Sequence, residues 1–198
     1  FQALDDALVA QVDTRGRHDP LPMVVEGLRG NASVVVALQE ELQVAETVGS
    51  ALYLTVPPGR ASTRVSVGHP LRCEPASVRL AWAGRHAGGA RFHVHNPGHE
   101  PVTFMVTSNG ELPVPPVRGR WTLAPGESAW LWGRGPLLVR EDASLQVEAS
   151  RVERGYLVVD WQGDGPFRHR LGFEPEQSRP EEPGRHEQRL RAPEGETW

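Results

Sequence analysis

The chain has 198 residues, 38% hydrophobic and 23% charged, so it can bury at least one core and fits one or two domains. Its single cysteine, Cys73, excludes an intrachain disulfide and a cysteine-based zinc finger, and a net charge of -4 argues against nucleic acid as the main partner. No apolar run reaches the ~18 residues of a membrane helix, so no membrane span is expected, and no signal-type segment opens the chain.

The predicted elements fall into three regions: 1–49, 50–173 and 174–198. In the first, Leu4, Leu8 and Val12 are spaced four apart, as one helical face requires. His18-Asp19-Pro20-Leu21-Pro22 interrupts this pattern. A second helix is predicted after Asn31-Ala32-Ser33, which can cap it. It runs from Val34 to Val48 on a stripe of Val34, Leu38, Leu42, Ala45 and Val48, and stops at Gly49. The β-branched run Val34-Val35-Val36 suits a strand equally well. Asn31-Ala32-Ser33 also matches a glycosylation acceptor sequon. This region is expected to be a helical or irregular attachment segment.

The second region reads as β. Leu52, Leu54 and Val56 alternate and stop at Pro57-Pro58-Gly59. Further strands are predicted over 62–67, 76–82, 90–96, 102–107, 120–123, 128–132, 144–149 and 156–161. Turn residues separate them, among them Gly88-Gly89, Asn96-Pro97-Gly98, Asn109-Gly110 and Pro125-Gly126. The chain holds 21 Gly and 18 Pro without a collagen-like period. Many short strands with such punctuation predict an antiparallel sandwich or barrel.

The third region holds seven Glu and four Arg, and its only large apolar residues are Leu190 and Trp198. Alone it cannot bury enough surface to offset its ordering entropy. An extended tail held by a neighbouring subunit is the expectation.

The stretch Phe92-His93-Val94-His95-Asn96-Pro97-Gly98-His99-Glu100-Pro101-Val102-Thr103-Phe104 precedes Trp121-Thr122-Leu123-Ala124-Pro125-Gly126-Glu127-Ser128-Ala129-Trp130. This order resembles bacterial and phage immunoglobulin-like sandwiches, over about 62–163. There a strand ending in Asn-x-Gly is followed by a Pro-Val strand and a Leu-x-Pro-Gly-Glu-Ser turn. The resemblance implies an immunoglobulin-like antiparallel β-sandwich used in adhesion, spacing or assembly. It transfers no catalytic residues.

The same residues carry a rival resemblance. His93-Val94-His95 with Glu100 is similar to the first metal motif of the cupins, which implies a transition-metal site of His93, His95 and Glu100. The family's second motif ends in a further His, and here Ala129-Trp130-Leu131-Trp132 follows instead. Strand parity favours the sandwich. It puts Ala90, Phe92 and Val94 on a buried face and Arg91, His93 and His95 in water.

Trp130 and Trp132, two apart, share one face of their strand. Exposed, they would form a sugar-stacking platform; buried, they would be core, which is the expectation. Trp121 could join either arrangement. The pairs Arg118/Arg120 and Arg168/Arg170 could grip anions, although solvated surface Arg is the expectation. Cys73 could ligate copper with a His and Met105, but reads first as an inert buried residue. All 21 basic residues are Arg, whose guanidinium groups pair bidentately and stack on aromatics.

The sequence therefore predicts a non-enzymatic structural or assembly module with no cofactor, in a phage virion or on a bacterial surface. Its partners would be proteins, with self-association as one option. The alternatives are a carbohydrate-binding module using Trp130 and Trp132, or a degenerate cupin metalloprotein using His93, His95 and Glu100.

Overall fold

A computed structural model describes residues 2–4, 7–26, 35–38, 41–44, 47–48, 51–172, 174–179 and 183–198, and the described residues form strands and no helix. The chain divides into two compact units, residues 1–70 with 109–114 and residues 71–108 with 115–198. These bounds differ from the divisions expected at 49/50 and 173/174.

The first unit holds β1 (Gln2–Leu4), β2 (Ala7–Val12), β3 (Leu21–Val25), β4 (Val35–Leu38), β5 (Glu41–Val44), β6 (Thr47–Val48), β7 (Ala51–Val56) and β8 (Thr63–Gly68). They build a sheet in the order β1-β2-β8-β4-β5 and a smaller one, β3-β7-β6. Both expected helices are thus strands. A spacing of four is also two strand periods, so Leu8 and Val12 stay on one side of β2 with Ala10 between them. Val36 and Leu38 likewise belong to a core with Val25, Leu52, Val56, Val65 and Val67. β-Branched side chains pack well on a pleated surface and lose rotamer freedom in a helix, which decides Val35-Val36 for strand. The sequon Asn31-Ala32-Ser33, with Val34, Ala45 and Gly49, lies outside the described residues.

The second unit holds β9 (Leu71–Glu74), β10 (Arg79–His86), β11 (Gly89–His95), β12 (Val102–Ser108), β13 (Arg118–Leu123), β14 (Ser128–Arg134), β15 (Leu137–Glu141), β16 (Leu145–Glu153), β17 (Tyr156–Gly163), β18 (Phe167–Leu171), β19 (Gln177–Arg179) and β20 (Gly184–Arg191). A six-stranded sheet, β10-β11-β14-β15-β18-β19, is flanked by β13-β12-β9 and by β16-β17-β20. All pairings in these sheets are antiparallel.

The six-stranded sheet carries a core on each face. Phe92, Val94, Ala129, Leu131 and Leu138 pack with Phe104, Val106, Trp121 and Leu123 of β12 and β13. Trp132, Leu137, Val139 and Phe167 pack with Leu145, Val147, Leu157, Val159 and Trp161 of β16 and β17. Leu137, Leu138 and Val139 are each 0% exposed because neighbours lie on both sides of β15.

The tail expected to be held by a neighbouring subunit is the third strand of a sheet in its own unit. β20 pairs with β17 from Tyr156↔Arg191 to Gly163↔Gly184. Leu190 is buried in the second core, and the His186 ring stacks on Trp161 at 4.3 Å between centroids. Trp198 packs on the same core and donates its indole N–H to Gly155 O at 3.2 Å. Polar composition concealed this because only one face of β20 needs to be apolar. The tail is held by its own unit, so it gives no argument for a neighbouring subunit.

The outer face of this sheet is an ion-pair lattice. Arg151 reaches Glu153, Asp160 and Glu187 at 2.5, 2.5 and 2.7 Å, and Arg189 reaches Glu153 at 3.1 Å. The hydrogen bond from Arg151 holds the Glu153 carboxyl below its ordinary pKa of 4.5. A depressed carboxylate pKa adds stability above the unfolded value, and this is lost as pH falls through the folded value. The melting temperature should therefore hold from pH 7 to pH 5 and fall below about pH 4.5. Arg151→Ala should flatten that acid limb in thermal melts. An acid limb unchanged in the variant would remove this pair from the account.

Candidate functional site

β11 and β14 place the candidate residues. Their register sets His93 opposite Trp130, Arg91 opposite Trp132 and His95 opposite Ser128. On the next strand Glu141 lies opposite Trp130. Strand alternation puts all seven side chains on one face of the six-stranded sheet, while Phe92 and Val94 face the other and are 0% exposed. The expected separation of Phe92 and Val94 from the Arg91, His93 and His95 side is observed.

This face is covered at one end only. Trp132 is 0% exposed within the core shared with β16 and β17, and its indole N–H donates to His86 O at 2.8 Å. Trp130, two residues away, is 41% exposed. The two residues therefore do not form one platform: Trp132 is core and Trp130 is surface. Trp121 joins neither, being 0% exposed in the other core with Arg170 over its ring at 5.5 Å.

Trp130 has ordered neighbours. The His93 ring lies 5.1 Å away, tilted at 60°, and the Arg91 guanidinium carbon lies 5.0 Å from the indole centre. Arg91 Nε is 2.9 Å from Glu141 Oε2, an ion contact without hydrogen-bond alignment. Glu141 is itself buried, its side chain 1% exposed, and Oε1 accepts the Val147 amide at 2.9 Å. A buried carboxylate thus fixes a half-exposed guanidinium against an exposed indole. Cation–π contact between Arg and Trp adds about 0.5–1 kcal/mol at an exposed site. His95 Nδ1 lies 2.9 Å from Ser128 Oγ.

The cupin-like constellation is not assembled. His93 faces Trp130, His95 contacts Ser128, and Glu100 lies in the bend after Asn96, where its carbonyl accepts from Asn96 Nδ2 at 2.8 Å. Among the described residues no three His, Cys, Asp or Glu side chains group to hold a metal. The copper reading fails on parity: Cys73 is opposite Val106, so the neighbouring Met105 faces away from it. Burial, with Glu74 nearby, pushes the Cys73 thiol up to about 12, which makes it unreactive. Arg168 pairs with Glu176 at 2.7 Å and Arg118 with Glu196 at 3.7 Å. Their carboxylate partners come from this chain.

Sequence reasoning placed Arg91 on this face but missed its fixation by Glu141. The signal was an acid ending an apolar run, Leu137-Leu138-Val139-Arg140-Glu141, in phase with Trp130 only once β14 and β15 are paired.

No protein-family model, curated protein or solved structure matches the chain.

Proposed function

We propose that this protein is a non-enzymatic structural module of a larger assembly, a virion or a cell surface, and that it associates with copies of itself. The observation that carries the reading lies in the first unit. On the outer face of β3 and β7, Val24 and Tyr53 stand directly opposite each other, 50% and 60% exposed. Pro22 and Thr55 form the adjacent exposed pair, and Ala51 is next on β7. None of these five residues is charged. A second copy applied about a two-fold axis would bring this uncharged patch against its own copy, with the exposed acid Glu26 following β3 at its edge. The ionic outer face of β16-β17-β20 is the opposite kind of surface, suited to water.

The immunoglobulin-like reading of the second unit belongs to the same proposal. Its support is the set of seven antiparallel strands, β9 to β15, arranged in two sheets over one core.

Native mass tests the reading. Light scattering behind a sizing column should give a multiple of the chain mass at micromolar concentration. Val24→Asp and Tyr53→Asp, both at exposed positions, should return the one-chain mass with an unchanged melting curve. A wild-type protein that stays at one-chain mass up to the highest soluble concentration would overturn the proposal.

A further inference from the structure

We infer that the open end of the six-stranded sheet, at Trp130, is a binding site for a neutral sugar ring. This goes beyond the assembly reading and does not depend on it, since it uses the other unit.

Three observations converge on this chemistry. The first is the exposed indole. Trp130 is 41% exposed, whereas in the same sheet Phe92, Trp132 and Phe167 are 0% exposed and Trp82 is partly buried against the first core. An indole left in water on a rigid sheet offers a flat apolar surface that matches the C–H face of a pyranose. The second is its setting. His93 is the cross-strand neighbour of Trp130, and Ala81 is the cross-strand neighbour of His93 on β10. The row Ala81-His93-Trp130 therefore runs from a small side chain to two rings, a shelf that a second sugar ring can occupy.

The third observation sets the polarity. Arg91 lies against Trp130, held through Nε by the buried Glu141. The Nη1 and Nη2 N–H groups would be the donors that a ligand stacked on this ring meets. The Glu141 carboxylate cancels the guanidinium charge, so the site offers directional donors without net charge. Hydroxyl oxygens of a neutral sugar suit such donors. A ligand carboxylate would meet a guanidinium already paired. Arg79 is the nearest further cation by register, opposite His95 and one row beyond the His93 row.

Positioning of this kind is what a ligand site requires. Glu141 is fixed by the Val147 amide from the covering sheet, so Arg91 is held by a buried group rather than by solvent. The indole is fixed by its strand, and ring and donors need little ordering when a ligand arrives.

The test is titration of the full chain, at pH 8, with neutral hexasaccharides: cellohexaose, xylohexaose, laminarihexaose and mannohexaose. Calorimetry and tryptophan fluorescence are read together. Oligogalacturonate and a proline-rich decapeptide serve as the acidic and peptide arms. At least one neutral oligosaccharide should bind. Trp130→Ala should weaken it on the order of tenfold or more, as loss of a central aromatic anchor does. Arg91→Lys, which keeps the charge opposite Glu141 but loses the fork, should weaken it severalfold with the melting curve preserved. Affinity should be nearly independent of salt between ~50 and ~500 mM, because no net charge is neutralised. Four results would each overturn the inference: no neutral sugar binding, binding indifferent to Trp130→Ala, preference for oligogalacturonate with steep salt dependence, or capture of the peptide alone.

Discussion

A chain ending at residue 173 should fail to melt cooperatively in its second unit, or should melt far below the full protein. The reason is the set of contacts that β20 closes. Eight cross-strand pairs with β17 are lost, from Tyr156↔Arg191 to Gly163↔Gly184. β17 then becomes an edge with a full row of unpaired backbone groups. Its inward side chains, Leu157, Val159 and Trp161, are 0%, 0% and 1% exposed in the intact protein. Removing Leu190, the His186 ring and Trp198 opens that core to water on one side. Burying one such side chain contributes ~1.5–3 kcal/mol, so losing even half the burial of three approaches the ~5–15 kcal/mol that holds a domain together. Ion pairs from Arg185 and Arg189 to Glu148 and Glu153 add little, because exposed pairs are screened. Calorimetry of the truncated and full chains, with Leu190→Ala as a milder variant, measures this directly. Leu190→Ala should cost about 2–3 kcal/mol, near the low end for leucine because one tail strand alone covers it. A truncated chain that melts within a few degrees of the full one would show that the core is complete without β20.

The sequence carries the strand pattern unevenly, and the exceptions share a cause. Strands with one wet face are legible: β11 alternates Phe92 and Val94 against Arg91, His93 and His95, and the structure keeps that parity. β15 is not legible as a strand, because Leu137-Leu138-Val139 serves two cores at once and loses its alternation. β20 alternates, but its inward residues are His186, Gln188 and Leu190, of which only one is apolar. An aromatic partner, Trp161, lets a histidine act as an inward residue there. That partner is 25 residues away in sequence and comes next to it only through the β17–β20 pairing. In the first unit, spacings of four served helix and strand alike, and the β-branched run was the more physical guide.

The candidate site was half legible for the same reason. Parity alone shows that Trp130 and Trp132 share a face, and it also places His93 beside them. Whether that face is wet depends on where the sheet β16-β17-β20 stops, a property of tertiary packing with no local signature. Glu141 illustrates the limit further. A carboxylate after an apolar run reads as a strand end on the surface, yet its side chain is 1% exposed. Its burial is tolerable because one oxygen takes the Val147 amide and the other faces Arg91.

The sharpest division on this face should appear between two tryptophans only two residues apart. Trp132→Ala should cost ~3–5 kcal/mol, the range for emptying a buried aromatic site. The indole is 0% exposed, packs among Leu137, Val139, Leu145 and Trp161, and leaves His86 O without its donor when removed. Little can collapse into the space. Gly89 lies directly beside the indole: a Cβ built there would sit 2.7 Å from it. The covering strands β16 and β17 are tied to each other and to β20. Trp130→Ala removes a side chain of which 41% already meets water, and with it one ring contact to His93 and one cation–π contact to Arg91. That loss should stay near 1 kcal/mol, since Arg91 retains Glu141. Denaturant titrations of the two single variants separate the cases, and their double variant should be close to the sum, because the residues belong to different environments. Equal destabilisation by the two variants would mean that Trp130 is core as well. It would then remove the exposed indole on which the sugar site rests.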